Sequence, residues 1–357
     1  MENFFAQNFN AFGLDISDSA IRLAKLGKNS HGLSLVSFGS IDVPPGIIES
    51  GEIKDEKALG QLIKAGMAKV RGKKIKTKYA VASLPEEKSF LDVFQVPFVD
   101  EKELKQTVMF EAENQIPMGV AEVEIDFEVL RGTSSNVKMQ EVLVTAMPKK
   151  IIEGYLSVFQ EAGLKAVAME IECLAIVRAL VKRDCQDDSI LIIDFGENRT
   201  SFMIFSGGGL RFTSTIPISA KILTENISRT LKVSMEKAEA MKLANGLEGA
   251  KEVFDAMIPS LTDLGEQIKN HLRYYHSHMP KNFISSGNTK MERILLCGRG
   301  ANLKGLVGFL SANLKLEVSL GNPWVNILGE SLKNLPALSF QESLGYVTAL
   351  GLALRAI

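Results

Sequence analysis

Two aspartates stand at the ends of apolar strands in repeated surroundings. Asp15 lies in Phe12-Gly-Leu-Asp-Ile, before a polar turn and Ala20-Ile-Arg-Leu-Ala-Lys-Leu. Asp194 lies in Ile190-Leu-Ile-Ile-Asp-Phe-Gly, before a second polar turn and Thr200-Ser-Phe-Met-Ile-Phe. A strand that ends in Asp and turns tightly suits a bound nucleotide. The amides of the turn can surround phosphate oxygens, and the carboxylate can hold Mg²⁺ through water. Two such turns could clamp a triphosphate from both sides. A third, Gly298-Arg-Gly-Ala after Arg293-Ile-Leu-Leu-Cys, could bring backbone close to a flat base. One such turn says little. Three in this order specify a site.

The elements that must position these turns are duplicated. Each Asp strand is followed by two more strand-like runs, the third being Leu33–Val43 in the first set and Leu210-Arg-Phe-Thr-Ser-Thr-Ile-Pro-Ile, after Gly207-Gly-Gly, in the second. The spacing is too long for a solenoid and fits two domains on one plan, facing each other across a cleft. Between the sets, helices are expected after Asp55, after Asp100 with Pro117 stopping it, and from Pro148 to Gly163. Strands are expected at 77–84, 89–96, 123–131 and 139–146, so 84–146 reads as a small α+β insertion. Helical patterns follow at 219–232, 234–245 and 260–278. Another runs through Leu303, Leu306, Leu310 and Leu314, and Ser339-Phe-Gln-Glu342 caps a last one at 345–355.

These strings resemble the actin/Hsp70-type ATPase superfamily. The matching motifs are Leu14-Asp-Ile-Ser-Asp-Ser-Ala-Ile-Arg22, Ile193-Asp-Phe-Gly-Glu-Asn-Arg-Thr200 and Leu296-Cys-Gly-Arg-Gly-Ala-Asn302. Within it the chain is similar to the type IV pilus assembly PilM family, relatives of the division protein FtsA. That narrower likeness rests on Val43-Pro-Pro-Gly, Phe110-Glu-Ala-Glu-Asn-Gln-Ile-Pro, Glu236-Lys-Ala-Glu-Ala-Met-Lys, Gly321-Asn-Pro-Trp and Gly351-Leu-Ala-Leu-Arg.

The resemblance implies an α/β fold of two actin-like (ribonuclease H-like) lobes around a nucleotide cleft. Lobe I would span 11–189, with 336–357 returning to it and 84–146 inserted. Lobe II would span 190–335, with 219–291 inserted. It also implies roles. Asp15 and Asp194 would hold the Mg²⁺ shell, and Thr200 and the Gly196 backbone would face phosphates. Ser17 would stand in the first phosphate turn, and Arg22 would keep a cation near the phosphates. Glu239 and Lys242 would touch ribose, or else form a solvated helix pair, while Gly298, Gly300 and Asn302 border adenine. Glu172 would orient attacking water, or else be an ordinary acid at a helix N-terminus. ATP or ADP with Mg²⁺ is the implied cofactor.

Three departures from the pattern weaken that expectation. Ser17 carries a Cβ where close approach favours glycine. Asp18 places a carboxylate where a hydroxyl would meet the γ-phosphate, and like charges at 4 Å repel by about 4 kcal/mol at an effective dielectric near 20. Arg299 replaces a glycine of the adenosine turn and could either block the base or stack on it. The expectation is weak or lost nucleotide binding, with slow or absent hydrolysis.

Composition sets the outer limits. The 357 residues carry 41 Lys+Arg against 42 Asp+Glu, so no global field draws nucleic acid or a membrane. Beneath that balance, residues 57–85 hold eight Lys/Arg and no acid, while 86–128 hold twelve Asp/Glu against three Lys. Each block is either a partner surface or an ordinary solvated face, and the basic one lacks aromatics for base stacking. Three scattered cysteines argue against a disulfide framework or zinc site. No run approaches the ~20 apolar residues of a membrane span. The start of the chain does not read as a signal peptide. Phe4, Phe5, Phe9 and Phe12 form either a docking arm or a packed leader. His271, His276 and His278 cannot converge on one metal from a helix. Walker A loops and hydrolase elbows are absent from the sequence.

PilM-like proteins are cytoplasmic components of the inner-membrane pilus platform. They bind the cytoplasmic N-terminal segment of PilN in a groove between the first lobe's core and its insertion. The resemblance therefore implies a coupling component with a PilN-like membrane protein and other platform proteins as partners, a possible homo-oligomer, and only indirect membrane association. The rival classes are an FtsA-like membrane tether, whose C-terminal amphipathic helix is not seen before Ile357, and a small-molecule kinase.

Overall fold

The computed structural model describes residues 10–29, 32–130, 139–185, 188–278, 291, 293–328 and 336–357. Phe4, Phe5, Phe9 and the end of the strand read to Arg131 lie outside them, as does the side chain of His278.

Strand β1 (Phe12–Ile16) is buried along its length, and β2 (Ala20–Asn29) and β3 (Gly32–Asp42) follow it as an antiparallel meander. A two-residue hairpin, β4 (Ile48–Glu49) and β5 (Glu52–Ile53), leads to α1 (Glu56–Ala68), where the Asp55 side chain accepts from the Ala58 amide. Then come β6 (Arg71–Gly72) on the edge beside β3, and β7 (Tyr79–Leu84) parallel to β1.

The chain next leaves the lobe. β8 (Phe90–Pro97), α2 (Glu101–Gln115), β9 (Val123–Val129) and β10 (Met139–Pro148) build a separate antiparallel sheet of order β8-β10-β9. It has its own core of Phe94, Val96, Leu104, Val108, Ala112, Val142 and Val144. The chain returns through α3 (Lys149–Ala162), closed by Gly163 in the left-handed region, to β11 (Lys165–Ile171) and α4 (Glu172–Leu180). β11 completes a six-stranded sheet, order β11-β7-β1-β2-β3-β6.

The second set repeats the plan. β12 (Ile190–Phe195), β13 (Thr200–Ser206) and β14 (Gly209–Ile216) form a meander. Helices α5 (Ala220–Leu231), α6 (Met235–Asn245) and α7 (Lys251–His278) follow. Then β15 (Arg293–Cys297), α8 (Leu306–Leu314) and β16 (Val318–Leu320) complete the sheet β14-β13-β12-β15-β16. β12 is antiparallel to β13 and parallel to β15, as β1 is to β2 and β7. The repeat read in sequence is a repeat in space.

Two helix boundaries change. Helix α7 begins at Lys251 and runs through Pro259. Val253, Met257, Leu261, Leu264 and Ile268 are buried on one stripe while Pro259 is exposed, so the missing N–H falls where solvent can satisfy the freed carbonyl. The apolar residues of α5–α7 share a core cluster with Leu191, Ile193 and Phe202. The Gly298 turn opens a 3₁₀ turn at Arg299–Asn302, and α8 starts only after Gly305.

The C-terminal α10 (Val347–Arg355), after the short α9 (Phe340–Ser343) with its Ser339/Glu342 capping box, returns to the first lobe. It packs on β1, β2, β7 and α4. Two glycines permit this approach. A Cβ on Gly13 would lie 2.1 Å from the Ala349 carbonyl oxygen, and one on Gly351 1.9 Å from that of Ala175. Arg178 and Arg355 then both donate to the buried Glu170 carboxylate, fastening the helix.

Gly351→Ala should therefore destabilise the chain by about 3 kcal/mol through overpacking. Urea unfolding checks this, and an unchanged midpoint would show that α10 is not held as tightly as described.

Candidate functional site

The ends of β1 and β12 face each other across a cleft of about 690 Å³. Asp15, Ser17, Arg22, Glu172, Asp194, Gly196 and Gly298 line it, together with Asp18, Arg199, Ser201 and the Leu344–Thr348 corner.

Asp15 is buried, accepts from Ser83 Oγ at 3.1 Å, and lies 3.6 Å from Arg22 Nη1. Burial raises its pKa to about 6, against the pull of Arg22 and with help from Glu172. Asp194 is raised to about 7 by burial, then by Glu172 and Asp15. Glu86, behind them, is raised to about 8 by burial and Glu172, and one of its carboxylate oxygens is buried without a hydrogen-bond partner. The cleft is a crowded carboxylate site.

Arg199, from the second turn, answers that crowding. Its Nη1 donates to Glu87 Oε1 at 2.7 Å and its Nη2 to Glu172 Oε1 at 2.9 Å, with Asp18 Oδ2 at 4.0 Å. All three acids belong to the first set of elements. Burial lowers the guanidinium's pKa, but Glu172, Glu87 and Asp18 more than reverse this, and it stays charged. A side chain of the second lobe thus bridges the cleft by charge.

The turns themselves are tight. The Ser17 amide donates to the Ala20 carbonyl, and the Gly196 amide to that of Arg199. Asp18 departs from expectation. Its carboxylate accepts from the amides of Ser50 (3.0 Å) and Gly51 (2.9 Å) in the β4–β5 turn, where Ser50 has φ 49° and Gly51 φ 74°. It clamps that hairpin, which takes up much of the charge otherwise aimed at a phosphate.

Five expected residues do not line the cleft. Thr200 is fully buried, and its hydroxyl donates to the Ile218 carbonyl at 2.6 Å. Its neighbour Ser201, paired with Asp194, faces the cleft instead, because adjacent strand residues point to opposite faces. Lys242 is buried between helices, donating to the Ala220 carbonyl at 2.9 Å and Thr224 Oγ1 at 2.7 Å, and paired with Glu239 at 2.7 Å. Glu239 also accepts from Thr224 at 2.5 Å, so this pair joins α6 to α5. Gly300 is buried against the Phe195 ring, 2.6 Å from where its Cβ would stand. Asn302 donates to the Gln341 carbonyl at 2.9 Å, fastening the third turn to the C-terminal segment. Gly298 does border the cleft, with φ 84° and no room for a Cβ beside Asp194.

Sequence reasoning gave Arg199 no role, although it stands inside the second motif. A cation in a phosphate turn was the available signal. The Leu344–Thr348 corner was missed because only folding brings it to the cleft: the Gly298 amide donates to the Leu344 carbonyl.

A second concavity, about 1230 Å³, lies between the inserted sheet and the first lobe. Leu130, Leu143, Leu174, Val177, Phe205 and Leu210 give it an apolar floor. Asp126 and Glu128 of β9 form one rim, and Arg178, Lys182, Arg183 and Arg355 the other. β14 closes one end, where Arg211 pairs with Glu141 of β10. The described residues contain no His/Cys/Asp/Glu cluster with metal-holding geometry, and no helix long and apolar enough to cross a membrane.

Comparison with known proteins agrees with this architecture. The family model described as type IV pilus assembly protein PilM matches residues 13–357. A solved PilM-PilN type IV pilus biogenesis complex is 27% identical, with a TM-score of 0.81, covering 97% of this chain and 98% of that one. The cell division protein FtsA of Neisseria meningitidis is 24% identical over 231 residues, 58% of this chain and 51% of FtsA. The chain thus spans about half the length of that curated relative. The MreB5 of Spiroplasma citri bound to AMPPNP shares the fold at 12% identity, with a TM-score of 0.54 over 94% of this chain and 93% of that one.

The raised carboxyls give the cleft a pH signature. Asp15, Asp194 and Glu86 hold protons in the folded chain that ordinary carboxyls of the unfolded chain release above about pH 4. Their contribution is full below that pH and is lost as pH rises through about 6, 7 and 8. The urea midpoint should fall between about pH 5 and pH 8, and Glu86→Gln, which cannot ionise, should flatten the decline by about 1.4 kcal/mol for each pKa unit removed. Parallel wild-type and variant profiles would show that Glu86 is not a buried acid.

Proposed function

The chain belongs to the type IV pilus assembly protein PilM family, and we propose that it is the actin-like cytoplasmic component of a pilus inner-membrane platform. Its task is to take the short cytoplasmic N-terminal segment of a PilN-like membrane protein and so couple that protein to the rest of the machine. The groove between the inserted sheet and the first lobe carries this reading. It has an apolar floor and lining charges of both signs, which suits an extended segment that buries alternate apolar side chains. Basic residues of that segment would face Asp126 and Glu128. The chain would reach the membrane only through this partner.

We divide the chain into lobe I, 11–189 with 336–357 returning and 84–146 inserted, and lobe II, 190–335 with 219–291 inserted. Nucleotide has a subordinate role. Asp15 and Asp194 suit a hydrated divalent cation, and a bound Mg²⁺ nucleotide would supply charge that draws the lobes together. Arg199 already supplies such charge, and a polyphosphate must first displace its guanidinium from Glu87 and Glu172. Weak nucleotide binding with slow or absent turnover follows from this. Glu172 would orient water only once Arg199 had left it.

The test is calorimetric titration with synthetic N-terminal peptides of PilN-like proteins. A peptide should bind the wild type, and Asp126→Lys/Glu128→Lys, at exposed positions, should weaken it roughly tenfold or more. No binding by any peptide, together with ATP turnover stimulated by a sugar, would replace this reading with a small-molecule kinase.

A further inference from the structure

The basic block of the sequence folds into an exposed cationic face on the first lobe. Lys57, Lys64, Lys69, Arg71, Lys73, Lys74, Lys76 and Lys78 are all exposed, with no acid among residues 57–85. On α1, Lys57, Gln61, Lys64 and Ala68 fall on one outward stripe, while Leu59 and Ile63 are buried. The other cations follow along the β6 edge and the segment that leads to β7. That segment is fixed by its backbone and not by its charges. The Lys73 amide donates to the Val36 carbonyl, Ser37 Oγ donates to the Lys73 carbonyl, and Ile75 is buried. Among the described residues none of the seven lysines pairs with a carboxylate, and Arg71 pairs with Glu342.

The composition of the face selects what it meets. No large hydrophobic side chain of residues 57–78 is exposed, so it lacks the apolar anchor on which a protein interface turns. Seven of its eight cations are Lys, the type depleted from protein interfaces, where Arg is enriched. Lysines on an edge strand also discourage strand addition, but that role does not call for a cationic stripe on α1. Mobile ammonium groups of one sign, without an anchor, suit the diffuse field of an anionic bilayer. The face also ends beside the groove. Tyr79, next to Lys78, packs with Ala356 against Ala11, Val81, Ala175 and Leu352. Ala356 follows Arg355, which lines the groove together with Arg178, Lys182 and Arg183.

We infer that this face, from α1 through Lys78, rests on the anionic cytoplasmic leaflet of the membrane and sets how the chain lies there. Its placement rests on the groove reading above, because a short segment leaving the bilayer keeps the groove close to the lipid surface. The lipid contact itself rests on the charge pattern alone. Recruitment stays with the partner. Once the groove is occupied the lipid contact becomes intramolecular, and two weak attachments act as one stronger one. Each cation near an anionic surface is worth about a fivefold gain in affinity.

The experiment is flotation of the full chain with phosphatidylcholine vesicles, with and without phosphatidylglycerol, and no partner peptide. At about 50 mM salt the chain should float with the anionic vesicles only, and at about 500 mM it should be released. Lys73→Glu/Lys74→Glu/Lys76→Glu should weaken binding about a hundredfold or more, with an unchanged melting profile. Lys57→Glu/Lys64→Glu, on the helix, should weaken it about twentyfold and tests the same face if the first set fails to fold. Lys221→Glu/Lys237→Glu/Lys251→Glu, a charge-matched set at exposed positions of the second lobe, should cost no more than about fivefold. No flotation at low salt overturns the proposal. So does an equal loss in the second-lobe set, which would mean that net charge alone is read. Neither result touches the groove, which the peptide titration tests separately.

Discussion

The bridge from Arg199 to Glu87 and Glu172 is the interaction on which the reading of this molecule turns. Asp15, Asp18, Glu172 and Asp194 converge on one cleft, with Glu86 and Glu87 behind it. Such a set of acids cannot all stay ionised without a cation. In a nucleotide-binding relative of this fold a metal and its polyphosphate could settle that electrostatic problem. Here a guanidinium from the facing lobe does so, while Arg22 stays with Asp15. Removing one partner of a buried pair typically costs about 3–5 kcal/mol, so the bridge is strong enough to influence how the lobes sit.

This has a consequence for coupling. Glu87 stands where β7 leaves the lobe for the inserted sheet, and Glu172 opens α4, which walls the groove beside that sheet. The Glu86 amide also approaches Glu172 Oε1 at 3.5 Å. The cleft and the groove therefore share residues at the root of the insertion. Any anion that drew Arg199 away would act on the same two elements that shape the groove.

Much of the fold was legible in the residues. The Asp15 and Asp194 strands, the inserted α+β piece and the capped helices follow from periodicity and turn chemistry, which are local. What sequence could not supply was direction. Thr200 and Ser201 are adjacent in one strand, and pairing with Asp194 decides that Ser201 meets the cleft. Glu239 and Lys242 read as one helical pair, but Lys242 serves the first turn of α5, a contact set by helix packing. Asp18 looked repulsive because its partners, the Ser50 and Gly51 amides, lie more than thirty residues away. Arg199 was in plain view, and its partners were not.

The central claim is that Arg199 holds the lobes together without nucleotide. Single-molecule energy transfer tests it most directly, with dyes on Lys64→Cys in α1 and Lys237→Cys in α6, and Cys185 replaced by serine. The account predicts one narrow, high-transfer population for the nucleotide-free chain, and a broader population of lower transfer once Arg199→Ala is introduced. Identical distributions with and without Arg199 would contradict it.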